Sequence, residues 1–242
     1  MKAKRRQELK QDDFVDTLMW FWQTFKTHQQ EIITGAVVAL VLAALAMVVV
    51  PKWIHANDKA WSTLASTDEA AAEARYPMPG KPAEGMDAQI QKYEKVAADY
   101  PRSGAAPLAL YKAGKLLHEE GKLDEALKKF DEILSGYPKS DVAPAAEAAK
   151  ASVLEDKGKF AEAKALYEKV AESGPKYLAP ECYLNAARCA DMGKDAAQAK
   201  ALYEKVIMQA PGTEWAQIAD ERLQGQAKAK AAPPPAKPEK KG

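Results

Sequence analysis

The side chains of this chain that could do chemistry are few. They comprise His28, His55 and His118, Cys182 and Cys189, and the acidic runs Asp68-Glu69 and His118-Glu119-Glu120. Metal binding or general acid–base work would need such groups at ligand spacing or close together. The histidines fall in three separate segments, and no Gly-rich phosphate loop or metal-spaced Cys/His set occurs. Cys182 and Cys189 stand seven positions apart, which on one helix separates their Cα atoms by about 10.5 Å, whereas a disulfide needs less than about 7 Å. They read as small buried residues, and the acidic runs as solvated helix surface. The expectation is therefore no enzyme, no catalytic residue, no metal and no cofactor. Function must come from surfaces.

Composition narrows the fold that carries those surfaces. The chain has 242 residues and a formal net charge of +1, so no global field selects nucleic acid. Leu, Ala, Glu and Lys recur throughout, and no segment sustains an apolar/polar alternation, which predicts an all-α protein without sheet.

The octapeptide AKALYEKV stands at 163–170 and again at 199–206. YEKV also occurs at 93–96, and KKFDEI at 128–133 is a divergent copy. The aromatics Tyr93, Phe130, Tyr167 and Tyr203 are spaced by 37, 37 and 36 positions, and each is followed eight residues later by a proline: Pro101, Pro138, Pro175 and Pro211. A period of this size signals stacked supersecondary units.

Counting from Pro107 puts Gly114 at position 8, Ala126 at 20, Phe130 at 24 and Pro138 at 32, with Gly121 at the turn between two helices. The count from Pro144 gives Ala151, Ala163, Tyr167 and Pro175, with Gly158 at the turn. From Pro180 it gives Ala187, Ala199, Tyr203 and Pro211, with Gly193 one position early. On these residues the stretch 107–212 resembles the tetratricopeptide repeat family, in three units at 107–140, 144–177 and 180–212. Small residues at positions 8 and 20 let the two helices of a hairpin cross closely, and the aromatic fills the gap between units. The proline removes a donor and ends the second helix.

That resemblance implies an α-solenoid whose concave groove is lined by positions 5, 9 and 12. Here these are Tyr111, Lys115 and His118, then Ala148, Ser152 and Glu155, then Leu184, Arg188 and Asp191. The groove is mixed in charge and lacks the Lys/Asn/Arg pattern that clamps a C-terminal carboxylate in the cytosolic chaperone-cofactor branch of the family. The implied partners are other proteins or peptides.

The flanks complete the array. TEWAQIADERL at 213–223 reads as a capping helix, 213–225 in all, with Trp215, Ile218 and Leu223 turned inward. Residues 87–101 match only a second helix, whose first helix is expected at 54–75, and YPMPGKPAEGM between them must be a loop. Residues 51–106 thus form a degenerate leading repeat and linker. The tail 226–242, rich in Ala, Pro and Lys, is expected to be disordered.

Residues 32–50 read IITGAVVALVLAALAMVVV without a charge. A helix of that length covers roughly 28 Å, close to the hydrocarbon thickness. Its Ile, Val and Leu residues favour insertion by about 4 kcal/mol. Pro51-Lys52 is expected to close it, and Trp20, Phe21, Trp22, Phe25 and Trp53 flank it as an interfacial belt. The segment reads as an uncleaved signal anchor. Within 1–31, Phe14, Leu18, Phe21, Trp22 and Phe25 share one helix face, expected to lie in the membrane surface on the cytoplasmic side. Lys2, Lys4, Arg5, Arg6, Lys10 and Lys26 precede the span, so the N-terminus is expected in the cytoplasm and the repeats in the periplasm of a bacterium.

This layout resembles the YfgM-like ancillary subunits of the SecYEG translocon. The resemblance implies a role beside the translocon, with emerging polypeptides or periplasmic chaperones as partners. The alternative is a cell-envelope scaffold for cell division or outer-membrane assembly.

Overall fold

The computed structural model describes residues 2–75 and 85–231. Every regular element among them is a helix, and the chain divides into two compact units, 1–56 and 57–242.

The first unit holds α1 (Lys2–Thr27) and the beginning of α2 (Gln29–Arg75). Only His28 separates the two. Its N–H donates to the Thr24 carbonyl and its own carbonyl accepts from the Ile32 N–H, both at 3.0 Å, so the i→i−4 ladder continues across it. The side chains of α2 from Ile32 to Val50 find no protein cover, and Leu40 and Met47 are among the most exposed apolar residues described. The helix is long and apolar enough to cross a membrane. Pro51 does not end it, contrary to expectation: α2 runs on to Arg75 with the proline inside. A proline withholds one N–H and strains one turn, and membrane-crossing helices tolerate such a turn. The expected span and the expected first helix of the leading repeat are therefore one element.

The second unit begins at Asn57 on α2 and continues through α3 (Met86–Asp99), α4 (Ala105–Glu119), α5 (Leu123–Gly136), α6 (Ala143–Asp156), α7 (Phe160–Ser173), α8 (Ala179–Met192), α9 (Ala196–Gln209) and α10 (Glu214–Ala231). From α3 onward each helix packs on its chain neighbours. Alternate helices also meet, α4 with α6 and α8 with α10. That is a solenoid of hairpins, with α4/α5, α6/α7 and α8/α9 as the three expected units. Ala60 and Leu64 of α2 lie in one core cluster with Ile90 and Tyr93 of α3.

The periodic marks are the core. Tyr93, Phe130, Tyr167 and Tyr203 are 4, 0, 2 and 1% exposed. Ala126, Ala151, Ala163, Ala187 and Ala199 are fully enclosed at the crossings. At Gly114 the crossing leaves no room for a side chain, because a Cβ there would stand 2.8 Å from Cε1 of Phe130.

The turn inside each hairpin has one geometry. The residue at position 15 is left-handed: Gly121 (φ 74°), Gly158 (φ 73°) and, in the third unit, Lys194 (φ 64°). In each, its N–H donates three residues back and the next N–H five residues back, as Lys122 does to the Leu117 carbonyl and Asp195 to the Ala190 carbonyl. This is a Schellman closure of the first helix. Gly193 is not the turn residue expected from sequence, since its φ of −76° is ordinary right-handed backbone. The third unit compensates at the next position. There the Asp195 side chain accepts the Gln198 N–H at 3.1 Å, a cap that Lys122 and Lys159 do not provide.

At the C-terminal end, α10 buries Ala216 and Ala219 and packs Trp215, Ile218 and Leu223 against the core. It extends to Ala231, so residues 226–231, expected to be disordered, are helical. The rest of the tail, and residues 76–84 of the expected loop, lie outside the described residues.

Candidate protein-binding groove

The first helices α4, α6 and α8 bring Tyr111, Lys115, His118, Ser152 and Arg188 to one cleft of about 280 Å³. With Ala148, which also lines the cleft, these are six of the nine groove positions expected from sequence. The repeat register makes the gathering possible, because the same helix face recurs every 36 or 37 residues.

The other three take different roles. Glu155 is bound across the unit boundary by Arg188, whose Nε and Nη2 donate to its two carboxylate oxygens at 2.6 and 2.8 Å. This fork holds Arg188 in place and keeps Glu155 largely covered. Leu184 is 7% exposed and belongs to the core. Asp191 accepts from the Tyr203 hydroxyl at 2.9 Å and from Nε2 of Gln226 at 2.6 Å, so α10 ties down the last groove position.

His118 also bridges units, with Nε2 2.5 Å from Oδ2 of Asp156. Tyr111 packs its ring 6.0 Å from that of Phe130. Burial, and then the nearby charge of Glu181, push its phenol upward, so it stays a neutral hydrogen-bonding group at physiological pH. Lys115 is exposed and makes no ion pair among the described residues. It also borders a second cleft, of about 420 Å³, with Asp68, Tyr93 and Lys112. There the Tyr93 hydroxyl and Lys112 Nζ both donate to Asp68 Oδ1, at 2.8 and 2.6 Å.

Glu181, Asn185 and Cys182 line the central cleft and were missed from sequence. Glu181 and Asn185 sit at positions 2 and 6 of their unit, a turn or less from positions 5 and 9, so a broader helix face would have included them. Asp68 was hidden by the long connection before α3. It stands 25 residues ahead of Tyr93, whereas its counterpart Asp191 stands 12 ahead of Tyr203.

Cys182 and Cys189 are unpaired and buried, and burial pushes both thiols up to about 12. They are inert packing groups at neutral pH. Among the described residues no three His, Cys, Asp or Glu side chains come together as a metal site.

Comparison with known proteins bears on the fold. Residues 108–140 and 154–220 match tetratricopeptide repeat family models. Among solved structures, MamA residues 41 to the end from Desulfovibrio magneticus RS-1 is 16% identical, with a TM-score of 0.51 over 70% of this chain and 90% of that one. The ArsTM double mutant of MamA RS-1 gives 16% identity and a TM-score of 0.50, over 70% of this chain and 89% of that one. At this identity the likeness is one of fold. No curated protein matches. The chain thus carries tetratricopeptide-type helical repeats, the architecture of a protein-interaction module.

Proposed function

From an array of tetratricopeptide-type hairpins, we propose a membrane-anchored protein-interaction protein of the bacterial envelope. Residues 32–50 hold it in the cytoplasmic membrane, with the N-terminus in the cytoplasm and the repeats in the periplasm. There the groove meets polypeptides emerging from the Sec translocon, or the chaperones that receive them. The observation that carries the reading is the central cleft. Tyr111, Lys115, His118, Ser152 and Arg188 converge on it from three units, and the Arg188–Glu155 fork and the His118–Asp156 bridge set its walls in advance. A pre-ordered wall lowers the ordering cost of holding an extended segment. The exposed apolar length of α2 supports the anchor.

Photo-crosslinkers at Tyr111 and Lys115 in intact cells test the assignment. Adducts with SecYEG subunits or periplasmic chaperones are expected, and adducts only with cell-division or outer-membrane assembly factors would replace the translocon by an envelope scaffold. Orientation is checked by labelling Lys4→Cys and Ala236→Cys in a Cys-free background. Modification of position 236 alone from outside intact spheroplasts is the expected result.

A further inference from the structure

We infer that the loop-bearing edge of the repeat body, around Trp61, Arg102, Tyr137 and Lys139, docks on the headgroup layer of an anionic bilayer. The inference rests on reading residues 32–50 as a membrane span.

The edge is where α2 joins the repeats. Oδ1 of Asn57 accepts the N–H of Gly104 at 3.2 Å, fastening α2 to the loop that opens α4. Trp61, one turn on, lies against the same glycine, where a Cβ would stand 3.3 Å from its Cζ2. The Tyr137 hydroxyl donates to the Pro101 carbonyl at 2.8 Å and ties this loop to the next. Between the two loops and Trp61 opens a cleft of about 780 Å³ whose wall includes Pro107, Leu108 and Val142.

The rim of this cleft is cationic. Arg102 and Lys139 follow the repeat prolines Pro101 and Pro138, and Lys176 follows Pro175 in the third loop. All three are exposed and make no ion pair among the described residues. Asp141 is the acid on the rim of the cleft, and Asp99 lies on α3 just before it. An apolar floor with a half-exposed tryptophan, a tyrosine and outward cations is the composition that settles at a membrane interface. There aromatic rings take the carbonyl level and cations the phosphates.

Chain length names the occupant. Seven steps along the chain lead from Val50, the last of the apolar run, to Asn57. They span about 10 Å as a helix and about 25 Å fully extended. A tether of that length raises the effective concentration of headgroups at this edge. A soluble partner has no such advantage.

The test uses the full-length chain in vesicles of phosphatidylcholine mixed with phosphatidylglycerol, with Cys182→Ala and Cys189→Ala. A single reporter thiol carries a fluorophore, either as Gly136→Cys on the docking edge, where a Cβ meets open space, or as Glu125→Cys beside the hairpin turns. Headgroup-spin-labelled lipid is the quencher. Quenching at 136 is expected to exceed that at 125 by roughly twofold or more, and to fall toward it in Arg102→Glu/Lys139→Glu or when salt shortens the screening length. Equal quenching at the two positions, or charge reversal without effect, would overturn the docking while leaving the anchor intact. A chain that does not float with the vesicles would remove the span, and the docking with it.

Discussion

Lys194 shows how strongly register governs a residue's conformation. It is the one non-glycine residue with positive φ among those described, and it occupies position 15, where the other units use glycine. A left-handed non-glycine backbone costs roughly 1–2 kcal/mol, part of which glycine returns through its greater unfolded-state freedom. Lys194→Gly should therefore raise stability by about 0.5–1 kcal/mol in urea titrations, and Gly158→Ala should lower it by a similar amount. Gly193 misled the sequence reading because glycine identity is a weaker signal than the count from Pro180. Gly114 is constrained by space instead. A methyl group there meets the Phe130 ring at 2.8 Å, so Gly114→Ala should cost roughly 1–3 kcal/mol, partly relieved by Phe130→Leu. The buried cysteines predict a pH dependence. Unfolded thiols ionise near 9 and the folded ones near 12. Between those values the unfolded chain gives up protons that the folded chain keeps, so stability falls as pH rises above 9, by at most about 1.4 kcal/mol per thiol per unit. Alkaline unfolding should flatten in Cys182→Ala/Cys189→Ala, and neither native thiol should react with an aromatic disulfide reagent at neutral pH.

At the scale of elements, what the sequence made legible was the helices from α3 to α9 and the faces they bury, because small residues, aromatics and prolines repeat with the fold. Ends were harder. Pro51 suggested a stop, yet α2 continues through it with the proline inside the helix. The Lys- and Pro-rich tail suggested disorder, yet its first six residues are strong helix formers, and Gln226 finds Asp191. The groove divides the same way. Register located Tyr111, Lys115, His118, Ser152 and Arg188, but it could not reveal that Glu155 and Asp191 are already bonded, because their partners lie 33 and 12 or 35 residues away. Because α10 covers the last hairpin, truncation after Gly212 should expose the Leu202–Val206 face and lower the unfolding midpoint. Trp215→Ala should cost about 2–4 kcal/mol, less than a fully buried tryptophan because the ring is half-covered. Calorimetry of both variants checks this.

Among the described residues the repeats contact only neighbours along the chain, so stability is close to a sum over hairpins and their junctions. Damage at Gly114 should then loosen α4 and α5 before α8 and α9, visible as graded hydrogen exchange. Leu40→Arg with Leu42→Arg adds roughly 5–7 kcal/mol against insertion, more than the apolar residues supply, and should move the protein out of the carbonate-resistant membrane fraction. The recurring left-handed turn has a further consequence. Since α4/α5, α6/α7 and α8/α9 close with the same left-handed turn and offer their successors the same small and aromatic residues, a block of 36 or 37 residues could be pasted in after Ser173 without altering either join. Genes for such proteins can lengthen by copying, and the twin AKALYEKV strings at 163–170 and 199–206 stand one such block, 36 positions, apart.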